Sequence, residues 1–151
     1  MLNGRASSVV DAGPRDALRT LVFIHGFGGR AAYWHFQLDH FHYDSRVIAL
    51  DLRGHGLSDA PRSRYDVKEL CADVVALLAA VDAPPRFTLV AHSFGGAISS
   101  YFTTRYPERV GAAASIYGVA IDEGGAVDAT RTMALRQTLV AAEKHPATTE
   151  A

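Results

Sequence analysis

The chain has 151 residues, 48% of them hydrophobic and 21% charged, which supports one globular domain with a real core and argues against two. Lysine and arginine total 15 against 16 acidic residues, a formal charge of −1, so the composition gives no electrostatic footprint for nucleic acid or a membrane. A single cysteine, Cys71, excludes an internal disulfide and reads as a small buried hydrophobe.

The opening MLNGRASSVVDAGPRDALRT lacks the continuous apolar centre of a signal peptide, and no later run reaches transmembrane length. The expectation is a cytoplasmic protein. Residues 1–19 form a weakly structured start, with Ser7 to Val10 a short strand candidate and Asp11 to Pro14 a turn. Thr20 to Ile24 are a β-rich apolar run that ends in the glycine loop His25-Gly26-Phe27-Gly28-Gly29. A helical segment with Tyr33, Trp34, Gln37, Leu38 and Phe41 follows. Arg46 to Leu50 make a second strand, which runs through Asp51 into the glycine-bearing loop LRGHGLSD.

Asp66 with Glu69 three residues on is a capping-box variant. It opens a helix whose apolar positions are Val67, Leu70, Cys71, Val74, Leu77, Leu78 and Val81, and which must end before Pro84-Pro85. The stretch RFTLVAHSFGGAISSYF is different in kind. An apolar strand, Phe87 to Ala91, stops at Ser93 and becomes helical at once, with no loop between. Such a turn strains the backbone of the serine and requires small neighbours two residues before and after it, here Ala91 and Gly95. The hydroxyl is thereby held over a helix N-terminus, which suits a nucleophile whose attack creates an oxyanion. A fourth strand candidate, Ala112 to Tyr117, and a moderately amphipathic helix over 126–144 follow. Alternation at this spacing predicts an α/β fold, a mostly parallel sheet with helices on both faces.

AHSFGG resembles the nucleophile elbow of the α/β-hydrolase family, normally G-x-S-x-G, with alanine in place of the first glycine. HGFGG resembles the family's oxyanion loop, and Asp51, Arg53, Gly54, Gly56 and Ser58 resemble its D-x-R-G-x-G-x-S segment. The resemblance covers residues 20 to about 120. It implies a serine nucleophile, Ser93, with oxyanion donors at the N–H groups of Phe27 and Phe94, and an esterase-like acyl transfer on a small-molecule substrate. His25 is read as supporting the loop, His92 as leaving the turn in a different direction from Ser93 and so not as the base, and the D-x-R-G segment as scaffold.

In the family the acid and base follow later strands, and only 58 residues follow Ser93. His145, the only histidine among them, lies in a tail-like context. Asp122 stands where some relatives place the acid, although an aspartate in DEGG is otherwise a solvated loop residue. The chain is therefore expected to be one truncated, incomplete α/β-hydrolase domain without its base, in which residues 126–151 begin a lid.

Two other functions compete with this one. The same elbow and loop could serve a binding module that holds a small apolar ligand without chemistry. Gly26 to Ala31 also fit the dinucleotide fingerprint, with Asp51 ending the next strand. His35, His40 and His42 suggest a metal cluster, but helical residues two apart do not face each other, and no metal or cofactor is expected. Finally, the strand at 112–117 would expose an apolar edge, through which the chain is expected to self-associate or to take up a complementing segment.

Overall fold

The computed structural model describes residues 6–62 and 64–116. Among these residues five strands form one sheet: β1 (Val9–Ala12), β2 (Thr20–Ile24), β3 (Arg46–Leu50), β4 (Phe87–His92) and β5 (Val110–Ile116). Their spatial order is β1-β3-β2-β4-β5. β3, β2, β4 and β5 run parallel, and β1 pairs antiparallel with β3.

Among the described residues three helices cover the sheet: α1 (His35–Phe41), preceded by a 3₁₀ turn at Ala31–Trp34, α2 (Val67–Ala80) and α3 (Phe94–Arg105). One face of the sheet, with Val22, Ile24, Ile48, Leu50, Leu89 and Ala91, packs with Leu70, Val74 and Leu78 of α2 and Ile98 and Phe102 of α3. On the opposite face Phe23, Val47 and Ala49 meet Ala31 and Trp34. Burial on both faces explains why these strands read as nearly continuous apolar runs rather than alternating ones.

The helix boundaries follow local chemistry. Asp66 Oδ1 accepts the Glu69 N–H at 2.9 Å, so the expected cap opens α2. Cys71 is buried in that helix, and burial pushes its thiol up to about 12, leaving it a packing group rather than a reactive one.

The first strand differs from the sequence reading. It occupies Val9–Ala12, so Asp11, expected in a turn, lies within a strand. The reason is Arg46. Its side chain is buried at the head of β3 and donates to both Asp11 oxygens, at 2.9 and 2.8 Å, and to the carbonyls of Val81 and Asp82. A buried guanidinium needs such partners, and Asp11 supplies the charge from the adjacent strand. β5 begins two residues earlier than expected, and Tyr117 lies outside the described residues.

Candidate active site

Ser93 stands between the last residue of β4 and the first of α3, at φ 50° and ψ −118°. Positive φ at a non-glycine residue is the strained junction that the sequence implied. The Ser93 N–H donates to the Ile116 carbonyl at 2.9 Å, and its own carbonyl accepts the Gly96 N–H at 2.8 Å. The turn is therefore pinned on one side by β5 and on the other by the helix. Close packing explains its composition. A Cβ on Gly95 would stand 2.5 Å from the Ile24 carbonyl oxygen and 2.6 Å from that of His25, and Ala91 is fully buried.

The glycine loop lies against this turn. A Cβ on Gly26 would be 3.0 Å from Ser93 Cβ and 3.0 Å from His92 Nδ1. His92 itself is exposed. Phe27 follows, with its side chain 83% exposed, and Phe94 is half-buried against the core at the first helical position of α3. Among the described residues, neither N–H group is bonded to an acceptor. For Phe94 this follows from its place in the first turn of a helix. Phe94 thus follows Ser93 directly in the chain, and Phe27 follows Gly26, whose backbone lies against Ser93. No side chain among the described residues is hydrogen-bonded to Ser93 Oγ.

Three bonds weld the glycine loop and the turn after it to the segment after β3, and a fourth closes that segment on itself. Leu52 N–H donates to His25 Nε2 at 3.1 Å, and Ala31 N–H and Leu57 N–H donate to the two Asp51 oxygens at 2.6 and 3.0 Å. Gly28 N–H donates to His55 Nε2 at 3.0 Å. His25 is 1% exposed and donates from Nδ1 to the Gly26 carbonyl at 2.7 Å. Burial lowers its basicity, partly opposed by that carbonyl and reinforced by the neighbouring His55. A neutral imidazole that donates at one nitrogen and accepts at the other is the form this site uses.

Burial alone would raise the Asp51 carboxyl, but the N–H groups of Ala31 and Leu57 outweigh it and hold the group below its usual range. Arg53 extends the scaffold to α2 by binding both oxygens of Asp73 and the Arg64 carbonyl. Asp51 also bears on the nucleotide fingerprint. It is 6% exposed with both oxygens occupied, so it is not available to a ribose hydroxyl.

The three histidines near α1 serve local ends. His35 and His42 lie against Phe36 and Tyr43, each pair with centroids 3.9 Å apart, and His42 Nδ1 bonds the Leu38 carbonyl at 3.1 Å. His40 meets Phe41 edge-on. Asp122, His145 and the 126–144 helix lie outside the described residues. The sequence reading did not single out His55, although its place between Gly54 and Gly56 puts it at the tip of a tight loop.

A sequence profile described as the alpha/beta hydrolase fold matches residues 19–144. The chain belongs to the alpha/beta hydrolase family. It is 36% identical over 112 residues to a putative 2-succinyl-6-hydroxy-2,4-cyclohexadiene-1-carboxylate synthase of Bacillus subtilis, covering 73% of this chain and 40% of that protein. It is 38% identical over 110 residues to a non-heme chloroperoxidase of Streptomyces lividans, covering 72% and 40%. The solved structure of an N-acyl homoserine lactone degrading enzyme superposes with a TM-score of 0.73 at 31% identity, covering 79% of this chain and 44% of that one. This hydrolase-family chain thus spans less than half the length of these relatives. Among its described residues, no helix is long and apolar enough to cross a membrane.

Proposed function

We propose that the chain carries the nucleophile and oxyanion hole of a serine hydrolase acting on small-molecule esters. Ser93 Oγ attacks the substrate carbonyl, and the N–H groups of Phe27 and Phe94 receive the oxyanion, each donor contributing about 3 kcal/mol. The observation that carries this reading is the backbone of Ser93, a non-glycine at φ 50° heading a twelve-residue helix. Strain of that kind persists only where its surroundings over-determine it, and it clusters where chemistry is done. The positive end of the α3 dipole favours the charge that develops there. Similarity to a lactone-degrading enzyme supports an acyl–oxygen bond as the target, since a lactone is a cyclic ester. A cytoplasmic location belongs to the same proposal.

The general base in this account comes from outside residues 6–116. Without an imidazole the serine keeps its proton near neutral pH. An oxyanion hole and binding alone leave about 10³ to 10⁴ over water in well-studied triads. The 151-residue chain is therefore expected to hydrolyse p-nitrophenyl acetate at no more than such a residual rate. Robust hydrolysis that Ser93→Ala abolishes would overturn this point and assign the base to the chain itself, with His145 first in line.

A second reading, a ligand-binding module without chemistry, is favoured by the lack of a partner for Ser93 Oγ among the described residues. A fluorophosphonate adduct on Ser93 would decide for the first reading, because a binding module leaves the serine unmodified.

A further inference from the structure

We infer that His55 is a positioning residue for this oxyanion hole, fixing the turn from which Phe27 donates its N–H. The inference rests on the reading of Phe27 as an oxyanion donor. The turn runs from Gly26 to Gly29, closed by the Gly29 N–H on the Gly26 carbonyl at 3.0 Å, with Gly28 at φ +71°. Positive φ at the third residue of a turn means that its central peptide is rotated relative to the commoner arrangement. That central peptide joins Phe27 to Gly28, and its N–H is the group that His55 Nε2 accepts at 3.0 Å.

Among the described residues, His55 is the side chain that bonds this N–H. A Cβ on Gly28 would meet no atom within 4 Å, so packing does not block rotation there. Phe27 is 83% exposed, so burial does not fix it either. The contact that its ring does make is again to His55, edge-on with centroids 5.6 Å apart. One side chain therefore grips both residues of the turn centre.

His55 is itself well placed to do this. Its Nδ1 lies 3.0 Å from the Arg53 carbonyl, which can only accept, so Nδ1 carries the ring proton and Nε2 presents its lone pair to Gly28. Its backbone is tied at both ends, N–H to the Leu52 carbonyl at 2.9 Å and carbonyl to the Ser58 N–H at 3.0 Å. The loop behind it is anchored by the buried Asp51 carboxylate. Releasing Gly28 would free the dihedrals of both turn residues. Misplacement of about 1 Å at a catalytic group can cost 10²-fold in rate.

Nuclear magnetic resonance of the 151-residue chain tests the inference directly. A nitrogen–nitrogen coupling across the hydrogen bond from Gly28 to His55 Nε2 is expected, and its absence would overturn the assignment. Two variants extend the test. His55→Phe keeps a ring beside Phe27 but has no acceptor, whereas His55→Gln keeps a carbonyl that can accept. In His55→Phe the Gly28 amide should exchange about tenfold faster or more, and the Phe27 amide resonance should move, while β2 and β3 amides stay in place. His55→Gln should restore both in part. Fluorophosphonate labelling of Ser93 should slow about tenfold in His55→Phe and recover in His55→Gln. Unmoved Phe27 and Gly28 amides in His55→Phe would refute the role, as would moved amides with an unchanged labelling rate. Where the wild-type chain labels too slowly to compare, as a serine without its base can, the amide data alone decide whether His55 sets the turn.

Discussion

Gly95 and Ile24 are in backbone contact across the elbow: a methyl on the glycine would stand 2.5 Å from the Ile24 carbonyl oxygen. The first turn of α3 is thus seated directly on the end of β2, where the glycine loop begins. Gly95→Ala is expected to force helix and strand apart, because the obstructing atoms belong to the main chain. Overpacking of this kind costs about 1–3 kcal/mol. A lowered urea midpoint together with slower labelling of Ser93 would bear this out; a variant of wild-type stability would show that the elbow yields more easily than its geometry implies.

Asp51 joins the two loops through Ala31 and Leu57, and its carboxyl is held below the ordinary value of 3.8. A group depressed on folding contributes stability that is fully present above its unfolded value and is lost as pH falls through its folded one. Asp51→Asn should cost about 1–3 kcal/mol at neutral pH, since an amide presents one donor face to an N–H group. The same variant should lose less further stability than wild type below pH 3.8. Urea titrations at neutral and acid pH measure both effects.

His25 operates in a separate window. Burial lowers its folded value below the ordinary 6.5, so the unfolded chain takes up a proton first as the solution is acidified. Its contribution is intact above 6.5 and declines as pH falls from there through the folded value. Unfolding midpoints of wild type and His25→Gln between pH 8 and pH 5 should therefore converge toward the acid end. Parallel curves would show that the imidazole is not held neutral.

Much of this site could be read from the chain because its determinants are local. Strand, serine and helix adjoin within β4 and α3, and Asp66 meets Glu69 over three residues. What the sequence concealed depends on distant partners. Arg46 is buried at the head of an apolar strand only because Asp11, 35 residues away, crosses to meet it, and that same pairing turns an expected turn into β1. His55 reaches Gly28 across 27 residues, a contact that neither period nor propensity encodes. No pattern in RGHG distinguishes a histidine that grips the neighbouring loop from one facing solvent.

β5 is an edge of the described sheet, and Val110–Ile116 contains no charge and no proline to discourage pairing. The 151-residue chain is expected to self-associate through it, with elution that depends on concentration. Ala113→Lys should shift that equilibrium toward monomer. A monodisperse wild-type monomer with strongly protected amides over 112–116 would mean that the edge is already covered within the chain.

The central claim, that Ser93 is a nucleophile served by two backbone donors, is tested most directly by mapping a fluorophosphonate adduct by mass spectrometry. The expected result is that whatever adduct forms, at the low rate of a serine without its base, lies on the peptide that carries Ser93, and that Ser93→Ala takes none. Label that persists in that variant, or that maps to another residue in the wild type, would contradict it.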